Sequence, residues 1–215
     1  IKSYFFISLN HPCINKKICS QYEQVKNFKE NIPEDFKEKR KIGENDNSIC
    51  KIIREDLIEE FFHYEDKNLN GKIHPSIYET NCFLLNKQPT LIEYAAFFGS
   101  IDIFKYLQNN NVRLTPSLWI YAVHSNNIEF IHILENNNIR PNSGSYKNCL
   151  EEALKCHHNE LAYHIITKHL QNINSECVLT FCLKYYNFGF MKMKASTYTL
   201  FSAYANLITL FLLTF

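Results

Sequence analysis

Apolar residues set the reading of this chain. Ile49, Ile52, Ile53, Leu57, Ile58, Phe61 and Phe62 fall at steps of three and four, the spacing at which a helix presents one face. Ser48 stands ahead of the run as a side chain able to cap a first turn. The element is predicted as a helix pair broken at Glu55-Asp56, because IIREDLIEEFF has the cadence of AAFFGSIDIFK further on. It is thereby a degenerate first repeat. Residues 66–79, DKNLNGKIHPSIYE, carry a Gly, a Pro and two Asn, so the rest of 48–87 is read as a connecting loop.

From Gln88 to Leu170 the pattern recurs. Sliding the chain forward by 27 residues puts Pro89 on Pro116, Tyr94-Ala95 on Tyr121-Ala122 and Asn109-Asn110-Asn111 on Asn136-Asn137-Asn138. A third, looser copy, SYKNCLEEALKCHHNELAYHIITKHL, follows after a spacing of 31. Thr90, Ser117 and Asn148 head the copies as predicted helix caps. Ala95, Ala122 and Ala153 are small enough for close helix contact. Gly99, Asn126 and His157 are placed where the first helix must end in a left-handed residue. Asp102, Glu129 and Glu160 follow three residues later, as acids in the first turn of a second helix. That helix then carries Ile103-Phe104 with Leu107, Phe130-Ile131 with Leu134, or Leu161 with Ile165-Ile166. One pair alone cannot bury such a stripe, whereas stacked pairs cover each other. Trp119 falls where the repeat wants a large core residue.

Composition agrees with helices. The 215 residues are 46% hydrophobic and 14% aromatic, enough for a core, and only 5 Gly and 6 Pro leave little turn chemistry for a many-stranded sheet. A net charge of +1 supplies no field for nucleic acid, and no nucleic-acid partner is expected. Residues 1–47 read as a charged helical leader; the basic run Lys37–Lys41 is interrupted by Glu38 and is read as a solvated face rather than a nuclear signal. Eight cysteines without a CxxC pair, and no secretory signal, fit reduced thiols and a cytoplasmic location. The start at Ile1 rather than Met reads as a fragment or processed form.

The order of cap, apolar residue, Ala, Gly or Asn, acid, apolar pair, Lys105 or His132, and Leu107 or Leu134 resembles the ankyrin repeat. More narrowly, RKIGENDNSICKIIREDLIEEFFHY, PTLIEYAAFFGSIDIFKYL and TPSLWIYAVHSNNIEFIHILE are similar to a large ankyrin-type family of uncharacterised function, expanded in parasitic protists. The resemblance covers roughly residues 40–170. It implies an all-α ankyrin-like solenoid of stacked antiparallel helix pairs, with three repeats over 88–170 and a degenerate or truncated final one over 171–215. It also implies a non-enzymatic protein-interaction role. The family's Thr-Pro-Leu-His stands here as Thr90-Leu-Ile-Glu93, Ser117-Leu-Trp-Ile120 and Asn148-Cys-Leu-Glu151. The spacing, about 33 in ankyrins, is shortened, so the hairpin fingers are expected to be short or absent.

Chemistry is sparse. Cys149, Cys156, His157, His158, Glu160, His164 and His169 form the densest reactive cluster, and Glu160 with His164 and a thiolate can be drawn as a zinc site or a metal-dependent hydrolase. The repeat already places His157 in a turn, Glu160 at a helix start and His164 in a second helix, so no metal, cofactor, small-molecule substrate or catalytic residue is assigned. No phosphate loop, GxSxG or HExxH occurs. Phe97 and Phe98, with His124 and Ser125 at the equivalent positions, end the first helices; they are either protein-binding anchors or buried against the next pair. Finally, residues 195–215 form an uncharged run of 21 residues after Lys192 and Lys194. A decayed repeat is the favoured reading, and a membrane tether the alternative.

Overall fold

A computed structural model describes residues 33–64, 68–85, 87–142 and 145–194, of which residues 192–194 are described by their backbone alone. Residues 1–32 of the leader and the apolar run 195–215 lie outside the described residues. The described part is all-α, with eleven helices. No described helix is long and apolar enough to cross a membrane.

The described residues divide into two compact units, one within residues 1–46 together with 76–85, the other within residues 47–75 together with 86–215. In the first, α1 (Phe36–Ile42) stops at Gly43, whose φ of 74 opens the left-handed turn. Arg40 donates to the carbonyls of Ile77 at 2.8 Å and Glu79 at 2.7 Å, and Ser76 donates to Asp46 at 2.8 Å. Residues 76–85, placed by the sequence reading in the loop of 48–87, therefore belong with α1. Within the basic run Lys37–Lys41, Lys39 pairs with Asp35 at 2.9 Å and Arg40 holds these carbonyls.

In the second unit the helices come in pairs: α2 (Ser48–Arg54) with α3 (Ile58–His63), α4 (Leu91–Phe98) with α5 (Ile101–Asn109), and α6 (Leu118–Ser125) with α7 (Ile128–Asn136). They continue with α8 (Tyr146–Lys155) and α9 (Asn159–His169), then α10 (Ser175–Lys184) and α11 (Phe188–Lys194). Each first helix packs on the first helix of the next pair, α2 on α4, α4 on α6, α6 on α8 and α8 on α10. Ala95, Ala122 and Ala153 lie in these contacts fully buried, with the stripes Ile103-Phe104-Leu107 and Phe130-Ile131-Leu134 covered behind them. Among the described residues between α3 and α4, a single antiparallel bridge forms, Lys72 with Thr90.

Each pair turns at a left-handed residue: Asp56, Gly99, Asn126, His157 and Tyr186, with φ of 50, 83, 53, 60 and 56. Asn111 and Asn138 close α5 and α7 the same way, at φ 60 and 55. Asp102, Glu129 and Glu160 stand in the first turns of the second helices, where the helix dipole favours an acid.

The predicted caps divide. Thr90 and Glu93 form a capping box at the head of α4, with Thr90 N donating to Glu93 Oε2 at 2.8 Å. Ser117 precedes α6 but does not cap it: its backbone is already helical (φ −63, ψ −28), and its hydroxyl donates to Glu93 at 2.5 Å instead. Asn148 sits inside α8, since Ser145 has the extended backbone that precedes a helix and the helix starts a turn earlier than expected.

Candidate functional site

Stacking creates polar junctions that no single pair contains. At three of the four steps between pairs, the residue after the left-handed turn reaches back to the preceding pair. Ser100 donates to the carbonyl of Ile53, His158 Nδ1 to Val123 at 2.8 Å and Asn187 Nδ2 to Leu154 at 2.9 Å. All three carbonyls stand three residues before their own pair's turn, so one bond is repeated along the stack. Asp56 works in the opposite direction, accepting from the amides of Asp102 and Ile103 at 3.1 and 3.0 Å and so capping α5 from the neighbouring pair.

Two denser clusters occupy later junctions. At the first, Glu152 and Cys156 lie four residues apart at the end of α8, where helical spacing puts them on one face toward His124 in the last turn of α6. His124 Nε2 stands 3.0 Å from Glu152 Oε1, and Cys156 Sγ stands 3.6 Å from His124 Nδ1. Lys155 Nζ lies 2.9 Å from the same Glu152 oxygen. The His124 imidazole chiefly, then Lys155, hold the Glu152 carboxyl at about 2 against the opposing effect of burial. Burial pushes the Cys156 thiol up, and Glu152 pushes it further.

At the second, Glu135 of α7 accepts from three groups of α9: His164 Nε2 at 3.1 Å, His169 Nε2 at 2.6 Å and Lys168 Nζ at 2.6 Å. His169 stacks on Tyr146 with ring centres 3.9 Å apart, and Trp119 meets both rings edge-on. Burial of Glu135 opposes ionisation, but Lys168, His169 and His164 together outweigh it and hold its carboxyl at about 2. The depressed value fixes the sign of a pH effect. Stability from this group is complete above its ordinary value of 4.5 and is lost as pH falls through the window down to about 2. Glu135→Gln is therefore expected to remove about 1–3 kcal/mol of the difference in unfolding free energy between pH 6 and pH 2, read by urea denaturation. Parallel wild-type and variant pH profiles would contradict it.

The reactive cluster seen in the sequence is thus split. Cys156 joins His124 and Glu152, while His164 and His169 join Glu135. His157 forms the turn, His158 binds a carbonyl, and Glu160 starts α9. Cys149 is fully buried, its thiol pushed up to about 12 by burial. Glu135 and Glu152 were missed because the sequence marks neither; only the acid's place opposite a histidine in the next pair gives it a role. The four predicted anchors lie near one another but differ in exposure and partners, with the Phe97 ring 5.0 Å from that of Phe98. Phe97 is buried with its ring 4.9 Å from His124, Phe98 is half-buried against Tyr94, and Ser125 donates to the carbonyl of Ala122 at 2.9 Å.

The atoms of Cys156, His124 and Glu152 follow the order of a nucleophile, base and acid. A nucleophilic cysteine needs a lowered thiol value, and here it is raised. A separate cleft of ≈ 450 Å³ lies between α2 and the loop before α4, lined by Asn47, Ile49, Tyr64, Lys72, His74 and Leu91 among others. Its described lining includes no carboxylate or thiol.

No family model, curated protein or solved structure matches this chain.

Proposed function

We propose that the chain is a non-enzymatic protein-interaction module, built as an ankyrin-like solenoid with short fingers. One observation carries this reading: the left-handed residue at each of five turns, with the residue after it bonded to the carbonyl of the preceding pair at three of the four steps between pairs. Such a device spends its polar groups on holding successive pairs in register and leaves side chains along the row for a partner. The resemblance to ankyrin repeats points the same way. Phe98, half-buried at the end of α4, and Lys105 on α5, whose exposed ammonium pairs with Glu129 at 2.7 Å, are the kind of residues that a partner would meet. The described cysteines are free thiols, which suits a reducing, cytoplasmic setting.

The test compares wild-type protein with Phe98→Ser and Lys105→Glu, each checked for unchanged helicity, by quantitative affinity capture from native lysate. A partner held by wild type and reduced at least about tenfold by either variant supports the reading, since truncating a central aromatic or charged anchor costs about 1.4 kcal/mol or more. If wild type retains no protein above a denatured control, the interaction role fails.

A further inference from the structure

We propose that His124, Glu152 and Cys156 form a binding site for a zinc-class divalent cation that joins α6 to α8. One ring nitrogen, one carboxylate oxygen and the thiol sulphur lie within 4.8 Å of one another. Around tetrahedral zinc, bonds of about 2.0–2.3 Å hold neighbouring donor atoms roughly 3.3–3.6 Å apart. The 3.6 Å between His124 Nδ1 and Cys156 Sγ already matches that edge; Glu152 Oε1 stands 3.0 Å from the other ring nitrogen, Nε2, so the carboxylate must move from Nε2 toward the Nδ1 side to complete the face.

The donor set selects the ion. One nitrogen, one oxygen and one sulphur suit a borderline-soft ion, whereas calcium and magnesium require oxygen ligands throughout. Binding replaces the proton of the Cys156 thiol, which passes to solvent, so the bound form carries a thiolate and a carboxylate against the two charges of the ion. Lys155 is half-exposed and its ammonium can swing into water as the ion arrives. The Phe97 ring packs against that of His124 with centres 4.9 Å apart and so helps to hold the imidazole in place. Three protein ligands leave a fourth position for water or a partner's side chain.

The other group of metal-ligand type, His132, Glu135 and His164, is a weaker candidate for the same ion. Both oxygens of Glu135 already accept hydrogen bonds, one from Lys168 and the other from His164 and His169, and the group contains no thiol. The proposal does not depend on the interaction reading, since an ion bound between α6 and α8 would fasten two pairs together whatever the row binds.

Cobalt(II) added to reduced, untagged full-length protein is the probe, because a cobalt–thiolate bond gives a charge-transfer absorption band that histidine and carboxylate ligands do not. The expected result is one cobalt per chain with that band, its displacement by zinc, and a rise in unfolding temperature in the presence of zinc. Cys156→Ser should abolish the band while far-ultraviolet circular dichroism is unchanged. Glu152→Gln should keep the band but weaken cobalt affinity at least about tenfold, which preserves the test should the serine variant fold poorly. His132→Ala with His164→Ala should leave band and affinity as they are. No band at saturating cobalt, or a band that survives in folded Cys156→Ser protein, overturns the proposal.

Discussion

Trp119→Ala is expected to lower the unfolding free energy by about 3–5 kcal/mol, the range for removing a large buried aromatic from a packed core. Trp119 is 0% exposed, and its indole nitrogen donates to the carbonyl of Ile139 at 2.8 Å, the residue just beyond the left-handed Asn138. Its ring meets Tyr146 at 5.1 Å and His169 at 5.6 Å. One side chain of α6 therefore supports α8, α9 and the link that joins the second and third copies. Its removal leaves a cavity and a carbonyl without its donor at the same place. Trp119→Phe keeps most of the volume and loses the hydrogen bond, so it should cost a smaller amount, about 1–2 kcal/mol. Urea denaturation followed by circular dichroism reads both, and a cost under about 1 kcal/mol for the alanine variant would mean that the indole is not a central support of the stack.

Asn187→Leu is the second large effect, about 2–4 kcal/mol for a change that keeps the branched heavy-atom shape, removes its polarity and adds some bulk to a buried site. Asn187 is 1% exposed; its amide donates to the Leu154 carbonyl at 2.9 Å and to Asn159 Oδ1 at 2.8 Å, and its oxygen accepts from Phe190 N at 3.1 Å. Leucine would leave these three groups facing an apolar side chain without water. The loss should be local, because the bonds tie the α10–α11 pair to the one before it. Hydrogen exchange is expected to rise in residues 175–194 well before it rises in α4–α7. Uniform destabilisation would instead indicate that the last pair is fully coupled to the rest.

Some features were readable from the chain because they depend on a residue's own backbone. Gly99, Asn126 and His157 all adopt the left-handed conformation predicted for them, with φ of 83, 53 and 60. Small residues at Ala95, Ala122 and Ala153 mark close helix contact for an equally local reason, and all three are fully buried. Thr90 and Glu93 form their box within four residues of sequence. Ser117 and Asn148 were misread because the capping position depends on where the helix begins, and Glu93 of the neighbouring pair draws the Ser117 hydroxyl away.

The polar junctions were not readable, for a different reason. His158 and His164 look alike in the sequence, as do Glu151 and Glu152. One histidine binds a carbonyl of α6 and the other the carboxylate of Glu135; Glu151 pairs with Lys184, and Glu152 faces His124. Each assignment depends on a partner 28 to 35 residues away, across the contact between pairs. The single Cys/His cluster of the linear chain became two clusters once α8 packed on α6 and Glu135 of α7 paired with His164, Lys168 and His169 of α9.

The sequence by itself determined the helix pairs, their turns and their apolar stripes, because cap, turn and amphipathic period are properties of neighbouring residues. Tertiary structure alone decided which histidine meets which acid, where Cys156 points and which aromatics are covered. Those outcomes depend on the register between pairs, which is set by the packing of whole faces and leaves no mark at any one position.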